Sequence, residues 1–387
     1  MQRRDFLKIA AASISVSMLP APLLAAMKSA GGYENLLILV ELKGGNDGMN
    51  MAIPYADKNY YNLRPKIAIP RDKVLQLSDQ VGLHPAMEAM LPMWNAKQLA
   101  VLQGVGYPEP NLSHFRSIEI WDTASKSQEY LQDGWLARAF TQNPPPRDFA
   151  ADGIVIGSAE IGPLLGGATR TVVLSNEEQF RRQARLATAA SKAGNAALQH
   201  LLRVENDILQ AAAHLGIDAN IDTEFPDHAF GKACKTACQL ATQKSPVAVI
   251  RLTLNGFDTH QNQSATQNNL LKQLAEGLGA LRDGLIETGK WDSTLIMTYA
   301  EFGRRAKENQ SGGTDHGTAN MHFALGGRVR GGLLGKYPNL SDLDSVGNVR
   351  HTLDFRNVYA TIIQQWWGAD SSRILGQGFK PIDILKT

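Results

Sequence analysis

Leu36-Leu37-Ile38-Leu39-Val40-Glu41-Leu42, followed at once by Lys43-Gly44-Gly45-Asn46-Asp47-Gly48, is the stretch on which the architecture turns. A continuous apolar run that stops at glycines reads as a strand buried on both faces, the kind found in parallel sheets. Three more runs carry the same signature: Leu99–Gly104, Pro246–Leu254 and Ser293–Tyr299. Between them lie helical patterns at Pro85–Asn95, Ser113–Ala124 and Gln267–Thr288. Strands alternating with amphipathic helices predict an α/β fold with a largely parallel central sheet. Residues from about 176 to 215, rich in Ala, Leu, Gln and Arg, read as long helices packed on the sheet or forming a cap. Asn143-Pro-Pro-Pro146 is a rigid extended connector. The Gly- and Arg-rich stretch 303–335 suggests an ordered functional loop.

The first residues have a different character. Arg3-Arg4-Asp5-Phe6-Leu7-Lys8 resembles the consensus of twin-arginine export signals. An apolar run from Ile9 to Leu24 follows, and Ala25-Ala26 suits signal peptidase. Ser13, Ser15, Ser17, Pro20 and Pro22 interrupt that run, which falls short of the ~20 apolar residues of a spanning helix. The expected organisation is a leader over 1–26 and one α/β domain over 33–387. The twin-arginine translocase is the expected partner during export, with a periplasmic or extracellular destination and no stable membrane span after cleavage.

The chain of 387 residues has a formal net charge of +2. Arg3, Arg4 and Lys8 against Asp5 account for all of that surplus, so the remainder is close to neutral. Nucleic acid and anionic membrane are therefore poor partners. Cys234 and Cys238 stand one helical turn apart, a geometry that suits a disulfide badly. They read as buried small residues.

Four short motifs share one placement, just past a strand. Asp47 follows the first, Ser113-His114 the second, Asp258-Thr259-His260 the third and Glu301-Phe302-Gly303-Arg304 the fourth, with Asp315-His316-Gly317 close behind. Ligands in open α/β sheets bind beyond the carboxyl ends of the strands. Taken singly, each motif is weak: Ser113 is as good a helix N-cap, and Asp258-Thr-His260 also has a lesser reading as a capped turn. Gathered on one rim, the carboxylates and imidazoles suit zinc, manganese or iron. Without a cation, the clustered carboxylates would repel one another.

These motifs, with Asn111-Leu-Ser-His-Phe115, Thr314-Asp-His-Gly317 and Asp354-Phe-Arg356, resemble the twin-arginine-exported "domain of unknown function 1501" family from about residue 35 to 380. That family is grouped with the alkaline phosphatase and sulfatase superfamily. The resemblance implies a three-layer α/β/α sandwich with metals at the strand ends. It implies Asp47, Asp258, His260, Glu301, Asp315 and His316 as ligands of a divalent metal (zinc, manganese or calcium), with His322 competing with His316 as the late histidine. It implies Ser113 as the nucleophile position. Phe302 stands where the superfamily has a ligand histidine. Either the centre is mononuclear or reshaped, or Asp315-His316 supplies the pair from a loop.

The function expected from this is hydrolysis or transfer of small anionic esters, phosphate or sulfate, through a metal-activated Ser113 or water. Arg304 or Arg305 is expected to clamp the anionic group, and His114 to protonate the leaving group. A relative that has lost catalysis and serves in binding or assembly at the cell envelope is the alternative.

Overall fold

The computed structural model describes residues 32–167, 169–174 and 220–386. The leader and the helical stretch expected at 176–215 lie outside the described residues. The strands are β1 (Leu36–Lys43), β2 (Ala52–Ile53), β3 (Leu75–Gln76), β4 (Gly82–Leu83), β5 (Leu99–Gly106), β6 (Ala151–Ile156), β7 (Thr171–Leu174), β8 (Val247–Asn255), β9 (Thr294–Tyr299), β10 (Asn320–Leu325), β11 (Gly332–Leu334) and β12 (Leu353–Asp354). Nine of them form one sheet in the order β11-β5-β10-β9-β1-β8-β6-β7, with β12 also on β5. The other three form a small antiparallel sheet, β2-β4-β3.

β1 lies inside the large sheet, in parallel register with β8 on one side and β9 on the other, Leu37 opposite both Val249 and Leu295. Its residues alternate between two cores. Leu36, Ile38, Val40 and Leu42 join one; Leu37 and Leu39 join the other. Each needs its own cover, because an apolar sheet face left in water forfeits ~25 cal/mol per Å². The first face is covered by the helices Ala229–Ala241 and Gln263–Glu287. The second is covered by aromatic residues of His114–Thr123, Trp135–Gln142 and Phe355–Thr361, among them Trp121, Trp135 and Tyr359. The result is the expected three-layer sandwich.

Two local readings change. β10 runs antiparallel to both neighbours, β5 and β9, so the sheet is parallel except for this strand. It also puts regular structure inside the stretch expected to be a loop. Pro85–Asn95 is broken: a 3-10 segment, Pro85–Met90, precedes the helical turns Leu91–Asn95, with Met87 off helical geometry (φ −103°, ψ 25°). Cys234 and Cys238 are free and buried. Burial pushes the Cys238 thiol up to about 12. Among the described residues, no helix is long and apolar enough to cross a membrane.

Candidate metal centre

The carboxyl ends of β1, β8 and β9 deliver Gly44, Asp258 and Glu301 to one rim, and the helix His114–Thr123 begins beside them. Asp258, His260, His316 and His114 meet there. Asp258 Oδ1 lies 3.0 Å from His260 Nε2 and 3.2 Å from His316 Nε2. The two imidazole nitrogens are themselves 3.0 Å apart. On the other carboxylate oxygen, His114 Nε2 stands at 3.4 Å from Oδ2. Donor atoms of His114, Asp258 and His316 all lie within 4.8 Å of one another.

Each ring is oriented from behind. His316 Nδ1 is 2.9 Å from the Leu112 carbonyl, which fixes the proton there and leaves the Nε2 lone pair facing Asp258. His114 Nδ1 is 2.8 Å from Glu301 Oε1. His260 Nδ1 faces Asp315 Oδ1 at 3.6 Å. An oxygen on the outer ring nitrogen is the usual setting of a metal-ligating histidine. Phe302 packs against the His114 and His316 rings, with centroids 4.9 and 4.5 Å away.

Charge follows the geometry. Burial raises the proton affinity of Asp258. The Arg304 hydrogen bond and charge, with the imidazoles, outweigh it and bring the carboxyl down to about 2. The hydrogen bond to Glu301 raises the proton affinity of His114. Burial lowers that of His316. Imidazole nitrogens with a carboxylate oxygen are donors that zinc, manganese or iron accept, so the residues present fit a divalent cation.

Not every expected ligand joins this cluster. Asp47 is buried and claimed by Arg64, Nη1 to Oδ2 at 2.5 Å and Nη2 to Oδ1 at 3.0 Å. Gln263 Nε2 donates to the same Oδ2 at 2.5 Å, and the Met49 amide caps onto Oδ1 at 3.2 Å. Its lone pairs are spent on these donors. Glu301 and Asp315 stand behind His114 and His260 instead of among the converging atoms. Glu301 also accepts from the Gly44 amide at 3.0 and 3.2 Å. His322 lies on β10, buried, with no hydrogen bond to either ring nitrogen among the described residues.

Of the two arginines expected to clamp the anion, Arg304 is corrected too. The Arg304 side chain has no solvent exposure. It donates to the carbonyls of Gly45 (2.6 Å), Thr314 (2.9 Å), Phe257 (3.1 Å) and Gly44, and to Asp258 Oδ1 at 2.6 Å. A guanidinium so engaged ties three loops together and aims Asp258; it does not reach a ligand. Arg64 and the Gln263–Gln267 amides were missed in the sequence, where nothing marks them.

Ser113 is exposed, at the N-cap of a ten-residue helix, and its hydroxyl makes no capping bond. Its chain neighbours Leu112 and His114 are both fastened to the cluster. Ser113 thus lies in the chain between two residues bound to the cluster, and its hydroxyl makes no hydrogen bond among the described residues.

No curated protein matches the sequence. Among solved structures, the chain is similar to a protein in the alkaline phosphatase superfamily from Vibrio parahaemolyticus (12% identity, TM-score 0.43, covering 90% of this chain and 70% of that one). It is similar to the C-terminal periplasmic domain of EcEptC from Escherichia coli (9%, 0.41, 90% and 88%) and to PsFucS1 sulfatase from Pseudoalteromonas sp. (11%, 0.38, 99% and 75%). Likeness of this degree carries nothing about the chemistry of this chain. The family model described as "Protein of unknown function (DUF1501)" matches residues 34–377, and the chain belongs to that family.

Proposed function

We propose that this protein is a hydrolase or transferase for small phosphate or sulfate esters that works with one divalent cation at Asp258, His260 and His316. The observation behind this is the convergence of two imidazole Nε2 atoms and one carboxylate oxygen within 3.0–3.2 Å, with the outer nitrogens turned to protein oxygens. Three protein ligands with an open position are the arrangement of catalytic rather than structural zinc. A cation bound there polarises an ester oxygen and lowers the pKa of a hydroxyl or water.

The chain's own residues do the rest. Arg304 holds Asp258 in place. Ser113 offers its hydroxyl as nucleophile at a helix N-terminus, where backbone N–H groups favour an anion. His114 Nε2 protonates the leaving group, a role that its raised proton affinity suits. Export runs through the twin-arginine translocase to the periplasm or beyond, on the strength of Arg3-Arg4 and the apolar run behind them. Replacing both arginines by lysine is expected to leave the protein in the cytoplasm.

The deciding measurement is metal content, because a proton on His260 Nε2 also bridges these atoms. Elemental analysis should find one metal per chain, lost in His316→Ala. A panel of aryl phosphates and sulfates should be turned over by the wild type and by neither His316→Ala nor Asp258→Ala. No binding of zinc, manganese or calcium, or turnover equal in all three proteins, would overturn the reading. A second reading, binding or assembly at the cell envelope without catalysis, has one observation behind it. Arg64 occupies the Asp47 carboxylate that the superfamily resemblance implies for a cation. Bound metal without turnover supports it.

A further inference from the structure

A cavity of ≈ 900 Å³ opens beside the cluster, and its wall includes His114, Asp258 and Glu301. The rest of its lining does not suit a second anion. Phe115, Ile118, Leu131, Ile161 and Leu165 form an apolar side. Phe115 stands 89% exposed and Leu165 53%, exposure that water alone does not reward.

The polar side is acidic. Glu160 is paired with Lys43 at 2.6 Å, Glu119 with Arg116 at 2.8 Å, and Glu301 with His114 at 2.8 Å. Glu41 is paired with Arg251, but unevenly. Arg251 Nη2 (2.6 Å) and Thr253 Oγ1 (3.1 Å) both donate to Oε2. Among the described residues Oε1 has no partner, on a residue that is 0% exposed and lines the cavity. Asp122, also in the lining, has no basic partner within ion-pair distance among the described residues, and its buried Oδ1 accepts no hydrogen bond. Buried polar atoms are almost always satisfied, and a buried carboxylate without a partner is costly. Two carboxyl groups of the lining thus each carry a buried oxygen without a partner, and Asp122 has no counter-charge at ion-pair distance among the described residues, an arrangement that a donor carrying a positive charge would satisfy.

We infer that this cavity receives the ammonium end of an amphipathic amine, its nitrogen hydrogen-bonded to Asp122 and Glu41 Oε1 and its apolar body against Phe115 and Leu165. Burial raises the proton affinity of both carboxyls, an imbalance that an incoming cation relieves. As a substrate subsite this rests on the ester-hydrolase reading, and it makes the substrate zwitterionic, with the ester at the cluster and the amine in the cavity. As a binding site it stands without that reading.

The test uses three non-hydrolysable probes of one shape, 2-phenylethylamine, 2-phenylethanol and phenylacetate, titrated calorimetrically into the wild type at pH 7.5. The amine should bind at least tenfold more tightly than the alcohol, and phenylacetate more weakly than either. Asp122→Asn, close to isosteric, should bring amine and alcohol within twofold. Phe115→Ala, at an exposed position, should weaken amine and alcohol alike. Binding of no probe, an alcohol that matches the amine in the wild type, or a preference undiminished in folded Asp122→Asn would overturn the inference. The wild-type series decides even if that variant fails to fold. In His316→Ala the amine preference should persist while ester turnover is lost. Amine binding with no ester turnover in the wild type defeats the hydrolase reading alone, and turnover without amine preference defeats this inference alone.

Discussion

Arg64 clasps Asp47 through both guanidinium ends, at 2.5 and 3.0 Å, with neither side chain exposed to solvent. The carboxylate that sequence pattern offers as a metal ligand is therefore a structural ion. Arg64 also donates to the carbonyls of Arg305 and Ala306, which fastens the segment after β9 to that after β1. Removing one partner of a buried pair leaves the other charged and unpaired, a loss of about 3–5 kcal/mol. Asp47→Ala should lower unfolding free energy by that amount in denaturant titration. Its folded fraction should still bind metal as the wild type does. A metal-free but equally stable Asp47→Ala would place Asp47 in the centre after all.

Glu301 hydrogen-bonds the outer nitrogen of His114, and Asp315 faces that of His260 at 3.6 Å, so their effect is orientation. Because Glu301 holds His114, which is not one of the three ligands, Glu301→Gln should lower ester turnover while changing metal affinity by less than about tenfold, below the usual cost of losing a ligand's own support. It should not abolish binding. His316→Ala should abolish it. Competition against a fluorescent chelator separates the two outcomes. Equal loss in both variants would make Glu301 a ligand.

The contrast between fold and site shows what a sequence discloses. β1, β8 and β9 are buried on both faces, so every residue must be apolar or paired, and the run stands out against any background. β10 does not stand out: Asn320-Met-His-Phe-Ala-Leu325 sits in a glycine- and arginine-rich stretch and pairs antiparallel. The motifs that supply Asp258, His260 and His316 are legible because strand ends must carry whatever chemistry a parallel sheet performs. The partner each side chain takes is not legible. Arg64 reaches Asp47 across a loop, and Arg304 turns inward to backbone carbonyls. Neither choice leaves a periodicity or spacing in the chain.

Phe302 fills the space beside His114 and His316 where the superfamily resemblance implies an imidazole. The Phe302→His substitution restores that side chain, yet Asp47 remains occupied by Arg64. Metal stoichiometry should therefore stay at one per chain by elemental analysis. Two metals in this single variant would show that Phe302 alone keeps a second cation out.

His322 gives a pH prediction that is independent of the metal. It is 1% exposed on β10, edge-on to Trp121 at 5.4 Å, and neither ring nitrogen has a hydrogen-bond partner among the described residues. Burial lowers its pKa to about 3. The folded ring thus stays neutral while the unfolded ring, near 6.5, takes up a proton as pH falls. Stability is lost wherever the unfolded state binds more protons, so this loss begins below about pH 6.5 and continues to about pH 3. At ~1.4 kcal/mol per pH unit, the step from pH 7 to pH 5 costs about 2 kcal/mol. His322→Leu has similar bulk and nothing to titrate. Urea unfolding of metal-free protein at both pH values should show the wild type losing about 2 kcal/mol more than His322→Leu over that interval, with every other titrating group common to both. Parallel losses would mean that His322 finds a proton partner in the folded protein.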